Sequence, residues 1–313
     1  MTQPASDVPP QVRERTVSKA RTLIEALPFM QAHFGKVIVV KYGGAAMDKV
    51  GLAGSFAQDI ALLQHAGIHV VVVHGGGPQV TQVQAKLGIE AMFVDGFRVT
   101  DAETLDIATM VLAGTLNTGV VANLVSSGVP AVGLSGVDGG LLLARKQVSP
   151  DIGFVGEVVR VNPDVVTTLL RERFVPVVAS IAVDEAGQAY NVNADVVAAE
   201  LAIALEAEKL VFISDVPGLM GPSGDLLSEL GAQDCRDLMA SDGVVSGGMV
   251  PKLASAVRAL EAGIDRVHLV DGRVEHSLVL ELFTPEGIGT MIAPDSAVTE
   301  AIASPSPSPE APS

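Results

Sequence analysis

Short runs of uninterrupted aliphatic residues recur along this chain, separated by stretches with helical spacing. The strand candidates are "KVIVVKY", "HVVVVH", "PAVGLS", "FVPVVASIAV", "KLVFISD" and "RVHLVDG", with helical stretches at 55–65, 104–114, 194–204 and 252–262. A strand that is apolar on both sides must be covered on both faces, which requires a buried, mainly parallel sheet. Alternation with helices then predicts an α/β fold, a three-layer α/β/α sandwich around an open sheet, with two lobes sharing that sheet. Two segments break the rhythm, "AMFVDGFRVT" and "LLLARKQVSPDIGFVGEVVRV". Both are expected as antiparallel hairpins added to the sheet.

The rest of the composition fits this frame. The 313 residues are 48% hydrophobic and contain no Trp and two Tyr, the profile of aliphatic cores rather than of a disordered chain. The formal net charge is −16, and no basic stripe interleaved with aromatics is present, which argues against nucleic acid as a partner. The lone Cys235 has no partner for a disulfide and no histidine placed to activate it, so it reads as a small buried hydrophobe. The N-terminal segment lacks an apolar signal core, and no run approaches ~18 uncharged apolar residues. The expectation is a soluble, cytoplasmic protein with no membrane partner. Residues 1–10 and the tail 303–313, "ASPSPSPEAPS", are expected to be disordered. Between them, residues 11–30 carry apolar side chains at helical spacing (Val12, Val17, Leu23, Ile24, Leu27), and Pro28 and Gly35 separate this helix from the first strand. This helix either packs on its own domain or serves as an oligomerisation arm.

Three glycine-rich turns follow strand candidates: "KYGGAAM" from Lys41, "HGGGP" with Gly75, Gly76 and Gly77, and "SDVPGL" from Ser214. In open α/β sheets ligands bind beyond the carboxyl ends of the strands, and bare backbone there offers N–H donors to an anion. Neither a Walker A motif nor GxGxxG is present, so phosphate binding of the P-loop or dinucleotide type is excluded. Tight chain reversal alone is the plainer reading of each turn. Arg98 in "GFRVTD" suits either a bidentate carboxylate contact or a surface ion pair. "YNVNADVVAAELA" places Asn191, Asn193 and Asp195 before a helix, where one is expected as an N-cap. Lys252 in "SGGMVPKLASAVRAL" falls in the first turn of a helix, against the dipole, unless an anion is shared there.

In order, "KYGG", "HGGGP", "GFRVT", "NVNAD", "SDVPGL", "GGMVPK" and "GIGTMI" resemble the amino-acid kinase family, and within it the arginine-sensitive acetylglutamate kinases. The resemblance runs from about Lys36 to Ile292. It implies ATP-dependent phosphorylation of the γ-carboxylate of N-acetyl-L-glutamate. Lys41 and Lys252 would neutralise the transferred phosphoryl group, and Asp195 would hold both lysines. Gly44, Gly75 and Gly76 would donate backbone N–H groups, while Arg98 and Asn191 would clamp the substrate's α-carboxylate. Ser214, Asp215, Gly218, Gly248 and Met249 would line the ATP site. Mg²⁺ would arrive with the nucleotide, with no dedicated metal cage. The resemblance further implies an acetylglutamate-binding lobe (36–190) and an ATP-binding lobe (191–295) that also holds an inhibitory arginine site at His268, Glu281 and Gly287. It implies, too, a hexamer built as a trimer of dimers through the N-terminal helix. The alternatives are another small-acid kinase of the family or an arginine sensor without catalysis.

Overall fold

The computed structural model describes residues 10–44, 47, 50–94, 96–221, 223–241, 245 and 247–295. The expectation of disorder at 1–10 and 303–313 lies outside those residues, except at Pro10, where a helix begins. The strands are β1 (Val37–Tyr42), β2 (His69–His74), β3 (Phe93–Val94), β4 (Phe97–Arg98), β5 (Ala131–Ser135), β6 (Leu142–Lys146), β7 (Gly156–Val161), β8 (Val175–Ala179), β9 (Ile181–Val183), β10 (Ala189–Asn191), β11 (Lys209–Ser214), β12 (Glu229–Gly231), β13 (Arg266–Asp271) and β14 (Thr290–Ala293). The α-helices are α1 (Pro10–His33), α2 (Val50–His65), α3 (Gly77–Lys86), α4 (Ala102–Thr109), α5 (Asn117–Ser126), α6 (Asp164–Arg171), α7 (Ala194–Ala204), α8 (Ala232–Ala240), α9 (Met249–Glu261) and α10 (Ser277–Phe283). A π-helical stretch, Met110–Leu116, joins α4 to α5.

Eight strands form the central sheet in the order β12-β14-β13-β11-β1-β2-β8-β5. From β13 to β5 every pairing is parallel, whereas β14 and its parallel neighbour β12 run opposite to the rest. Alternate residues of one strand enter opposite cores. Ile38, Val40 and Tyr42 pack with α2, α5 and α10, whereas Val39 packs with α7 and α9 on the other face. The sandwich inferred from the sequence is therefore the one observed.

Three local expectations are corrected. The hairpins are not extensions of the central sheet: β3–β4 stands alone, and β6–β7 belongs to a second sheet of order β10-β9-β6-β7. "FVPVVASIAV" is two strands, because the chain breaks at Ser180 and β9 pairs with β10 rather than continuing β8. Pro28 does not end the first helix but lies inside α1, which runs on to His33. The span 102–126 contains an 18-residue window of mean hydropathy 1.4, enough by length and composition to cross a bilayer. Here it is one layer of the sandwich, burying Val111, Leu112, Val120 and Leu124.

The apolar stripe of α1 does not cover its own domain. Val12, Val17, Leu23, Ile24 and Leu27 are 46–68% exposed, while only the end of the helix docks, through Ala26, Phe29 and Met30. The His33 imidazole, 2.8 Å from Glu208, ties that end to the body.

Ile38 is fully buried at the centre of the sheet. Replacing it by alanine should cost about 2–5 kcal/mol of stability, read as a lowered denaturant midpoint; a change under half that would mean the core relaxes around the gap.

Candidate active site

Because β11, β1 and β2 are neighbours and parallel, the three glycine turns leave the same edge of the sheet side by side. Gly44 adopts φ +68°, and a Cβ there would meet the Asp215 backbone nitrogen at 3.2 Å, so the first and third turns are in contact. In the second turn the three glycines differ. A side chain on Gly76 would collide with Leu116 and Leu112 of the π-helical stretch, and one on Gly75 would press on Ala194 at 3.3 Å. Gly77 has room for one, and its carbonyl instead accepts from Arg98.

Lys41 reaches inward from near the end of β1. Opposite it, α7 begins at an N-cap, Asn193, whose side chain accepts from the Asp195 and Val196 amides. That cap fixes Asp195 in the first turn, where its carboxylate lies 3.0 Å from Lys41 Nζ and 3.2 Å from Lys252 Nζ. All three side chains are at most 14% exposed. Burial alone would raise the Asp195 carboxyl, but the adjacent Lys41 and Lys252 ammonium groups outweigh it and hold it below its ordinary value. Burial pulls Lys252 below the usual lysine range, with Asp195 resisting and Lys41 assisting. Two cations around one anion leave a surplus positive charge in a place poor in water. This answers the helix-dipole conflict at Lys252, since the shared anion is Asp195.

A cavity of about 270 Å³ opens beside this cluster, and Lys41, Gly44, Gly75, Gly76, Arg98, Asn191 and Asp195 all line it. Arg98, on β4, is buried and stacked on Phe93 at 4.7 Å. Its guanidinium donates to Gln84, to the Gly77 carbonyl at 2.8 Å and to the Thr81 hydroxyl at 2.7 Å. Asn191 donates to Thr100 at 3.3 Å. Sequence reasoning missed Gln84, which is 1% exposed and joins Arg98 to Thr104. A glutamine on a polar helix carries no signal of burial, so only the packing reveals it.

The residues expected at a nucleotide lie outside that cavity. The Ser214 hydroxyl is buried with no hydrogen-bond partner among the described residues. Gly218, at φ +150°, packs against Thr290, whose hydroxyl accepts from the Leu219 amide. Gly248 caps α9 and Met249 opens it. His268, Glu281 and Gly287 form a separate cluster. Lys209 donates to His268 Nε2 at 3.3 Å, and His268 Nδ1 lies 2.6 Å from Glu281. Burial pushes His268 down. For Glu281 burial is overcome by His268 and the Ile288 and Gly289 amides, which hold it ionised. Gly287, at φ +61°, leaves only 3.0 Å between a would-be Cβ and Glu281. Cys235 is buried and its thiol is pushed up to about 12 by burial and then by Asp234 and Asp295, so it is chemically quiet.

The model of the amino acid kinase family matches residues 36–271, most of the chain. The chain belongs to the amino acid kinase family. It is a phosphotransferase, and its curated relatives are consistent in name. An acetylglutamate kinase of Symbiobacterium thermophilum is 48% identical over 290 residues, covering 89% of this chain and 99% of its own. Those of Aquifex aeolicus (46%; 88% and 98% covered) and Thermosynechococcus vestitus (48%; 89% and 95% covered) are similarly related. Among solved structures, an N-acetylglutamate synthase from Neisseria gonorrhoeae complexed with coenzyme A and N-acetyl-glutamate aligns with TM-score 0.80 at 29% identity. The alignment covers 88% of this chain and 63% of that one. The family uses ATP with a metal ion. The donor set here does not fit a resident divalent cation, because the Asp195 carboxylate is committed to two ammonium groups and no group of three or more acidic, His or Cys residues occurs among the described residues.

Asp195→Asn leaves two buried ammonium groups without a counter-charge and should cost about 3–5 kcal/mol at neutral pH. The carboxyl is depressed in the fold, so its contribution is complete above its unfolded value and is lost as pH falls through the folded one. In pH–rate profiles the alkaline limb should break below 10.5, where Lys252 loses its proton, and lower still in Asp195→Asn. An alkaline limb that does not move in that variant would remove Lys252 from the rate.

Proposed function

We propose that this chain transfers the γ-phosphoryl group of ATP to the side-chain carboxylate of N-acetyl-L-glutamate. A bond forms between a carboxylate oxygen and the γ-phosphorus, the bond to the β–γ bridging oxygen breaks, and ADP leaves. The observation that carries the reading is the Lys41–Asp195–Lys252 cluster, with its surplus positive charge beside a cavity lined by glycine backbone. The names of the nearly half-identical relatives supply the acceptor. A carboxylate with an ordinary value of about 4.3 is already ionised, so no general base is required. The task is to bring two anions together, which positioning and charge neutralisation accomplish.

Arg98 and Asn191 hold the α-carboxylate end of the acceptor, and the Gly44, Gly75 and Gly76 amides face the reacting groups. The Arg98 fork is engaged by Gly77, Thr81 and Gln84, so it meets the substrate as a pre-set group rather than a searching one. ATP lies over Ser214, Asp215, Gly218 and the start of α9, and Mg²⁺ enters with its phosphates. Residues 36–190 form the acceptor-binding lobe and 191–295 the nucleotide-binding lobe.

L-arginine acts as feedback inhibitor at the Lys209–His268–Glu281 cluster, whose opposite charges match a zwitterion. A solved N-acetylglutamate synthase at TM-score 0.76 and 25% identity is described as complexed with L-arginine. The exposed stripe of α1 is covered by a second copy of the chain, as part of a hexamer.

ADP release with acetylglutamate, ATP and Mg²⁺ tests the reading directly; no release with this acceptor, or release only with another small acid, would end it. Lys41→Ala and Lys252→Ala should each lower kcat by about 10²–10³-fold, whereas Arg98→Ala should act mainly through KM for the acceptor. Deleting residues 1–27 should reduce a hexamer to dimers in light scattering and weaken inhibition by arginine. A truncated chain of unchanged mass would refute the arm.

A further inference from the structure

The residue before the three glycines is His74, at the end of β2 and fully buried. Its Nδ1 lies 2.9 Å from the Gly75 carbonyl oxygen and its Nε2 lies 3.1 Å from Asn117 Nδ2. The same Asn117 amide donates to the Val177 carbonyl at 2.9 Å and the Leu134 carbonyl at 3.3 Å, which fixes the NH₂ group on this side. The two hydrogens of that amide are shared among three acceptors; an amide nitrogen only donates, so a bare Nε2 faces it and the ring proton sits on Nδ1, donating to Gly75. Burial pulls the imidazole below its ordinary value, consistent with a neutral ring.

The Gly75 carbonyl and the Gly76 N–H belong to one planar trans peptide and point in opposite directions. Holding the oxygen against a buried ring aims the N–H away from it, toward the side where Gly75 and Gly76 line the cavity. The same helical span supplies the second restraint. Leu112 and Leu116 of its π-helical stretch press on Gly76, and Asn117 begins the next turn. Asn117 is itself seated against Gly133, where a side chain would collide with it.

We infer that His74, oriented by Asn117, is a positioning residue that locks the Gly75–Gly76 peptide so that the Gly76 amide is preset to donate to the anion in flight. The ring works as a neutral hydrogen-bond donor and moves no proton in the reaction. This rests on the reading above that these glycine amides face the reacting groups.

The test has a spectroscopic and a kinetic arm. In the full-length wild-type protein, ¹⁵N NMR of labelled histidine should show several rings with a protonated Nδ1 and a bare Nε2, His268 among them, and one of these should be lost specifically in His74→Asn. If that variant removes a resonance of the opposite tautomer, the inference is overturned. In kinetics, His74→Leu should lower kcat by about 10–10²-fold with KM for ATP nearly unchanged, while His74→Asn, which keeps a donor near the Nδ1 position, should recover most of the rate. Equal losses in the two variants, or a folded His74→Leu enzyme of normal kcat, would also overturn it. Lys41→Ala, measured alongside, separates the two readings. If it is impaired and His74→Leu is not, the kinase reading stands and this inference falls; if wild type releases no ADP with acetylglutamate, both fall.

Discussion

One carboxylate shared by two ammonium groups organises this molecule. Lys41 comes from the strand that starts the sheet, Asp195 from the helix after the second sheet, and Lys252 from a helix on the far side of the chain's return. Burying two like charges is costly, and without Asp195 the sites of both lysines would repel. The shared anion therefore ties α7, α9 and β1 together, and removing it would strand two buried cations. Phe212, beneath the Lys252 ammonium at 4.9 Å, adds a π face to the same arrangement. What remains is more positive than negative charge on the three side chains, two of which, Lys41 and Asp195, line the cavity.

The parallel sheet was legible because its strands are aliphatic on both sides, and burial on both faces leaves that pattern no other use. The hairpins were legible as hairpins but not as to where they pair. The partner of a hairpin strand is decided by packing over long sequence distances, as where β6 meets β9. Pro28 misled as a stop signal because local proline rules are overridden when the rest of a helix has reason to continue.

Within the site, residues at the ends of strands and in glycine turns were legible from chemistry next to punctuation. Gln84 and Asn117 were not. Each is a polar residue in a helix, and nothing local distinguishes a solvated amide from one that is buried and bonded on several sides. Glu281 shows the opposite failure of locality. It would pass for an ordinary surface glutamate, yet it is 8% exposed and held by His268 and two backbone amides.

The π-helical stretch has a consequence for how this chain tolerates change in length. Each residue advances an α-helix by about 100°, so the wider turns act as a vernier that sets the angular phase of α5 relative to α4. Removing one residue from Met110–Leu116 would let the span relax toward regular winding at little cost in helicity. Because the wider turns advance less than about 100° per residue, the shortened and regularly wound span would bring Asn117 back to nearly the same phase against the strands it bonds. A one-residue deletion is therefore absorbed inside this stretch, whereas the same deletion in the regular turns of α4 would be felt at the far edge of the sheet.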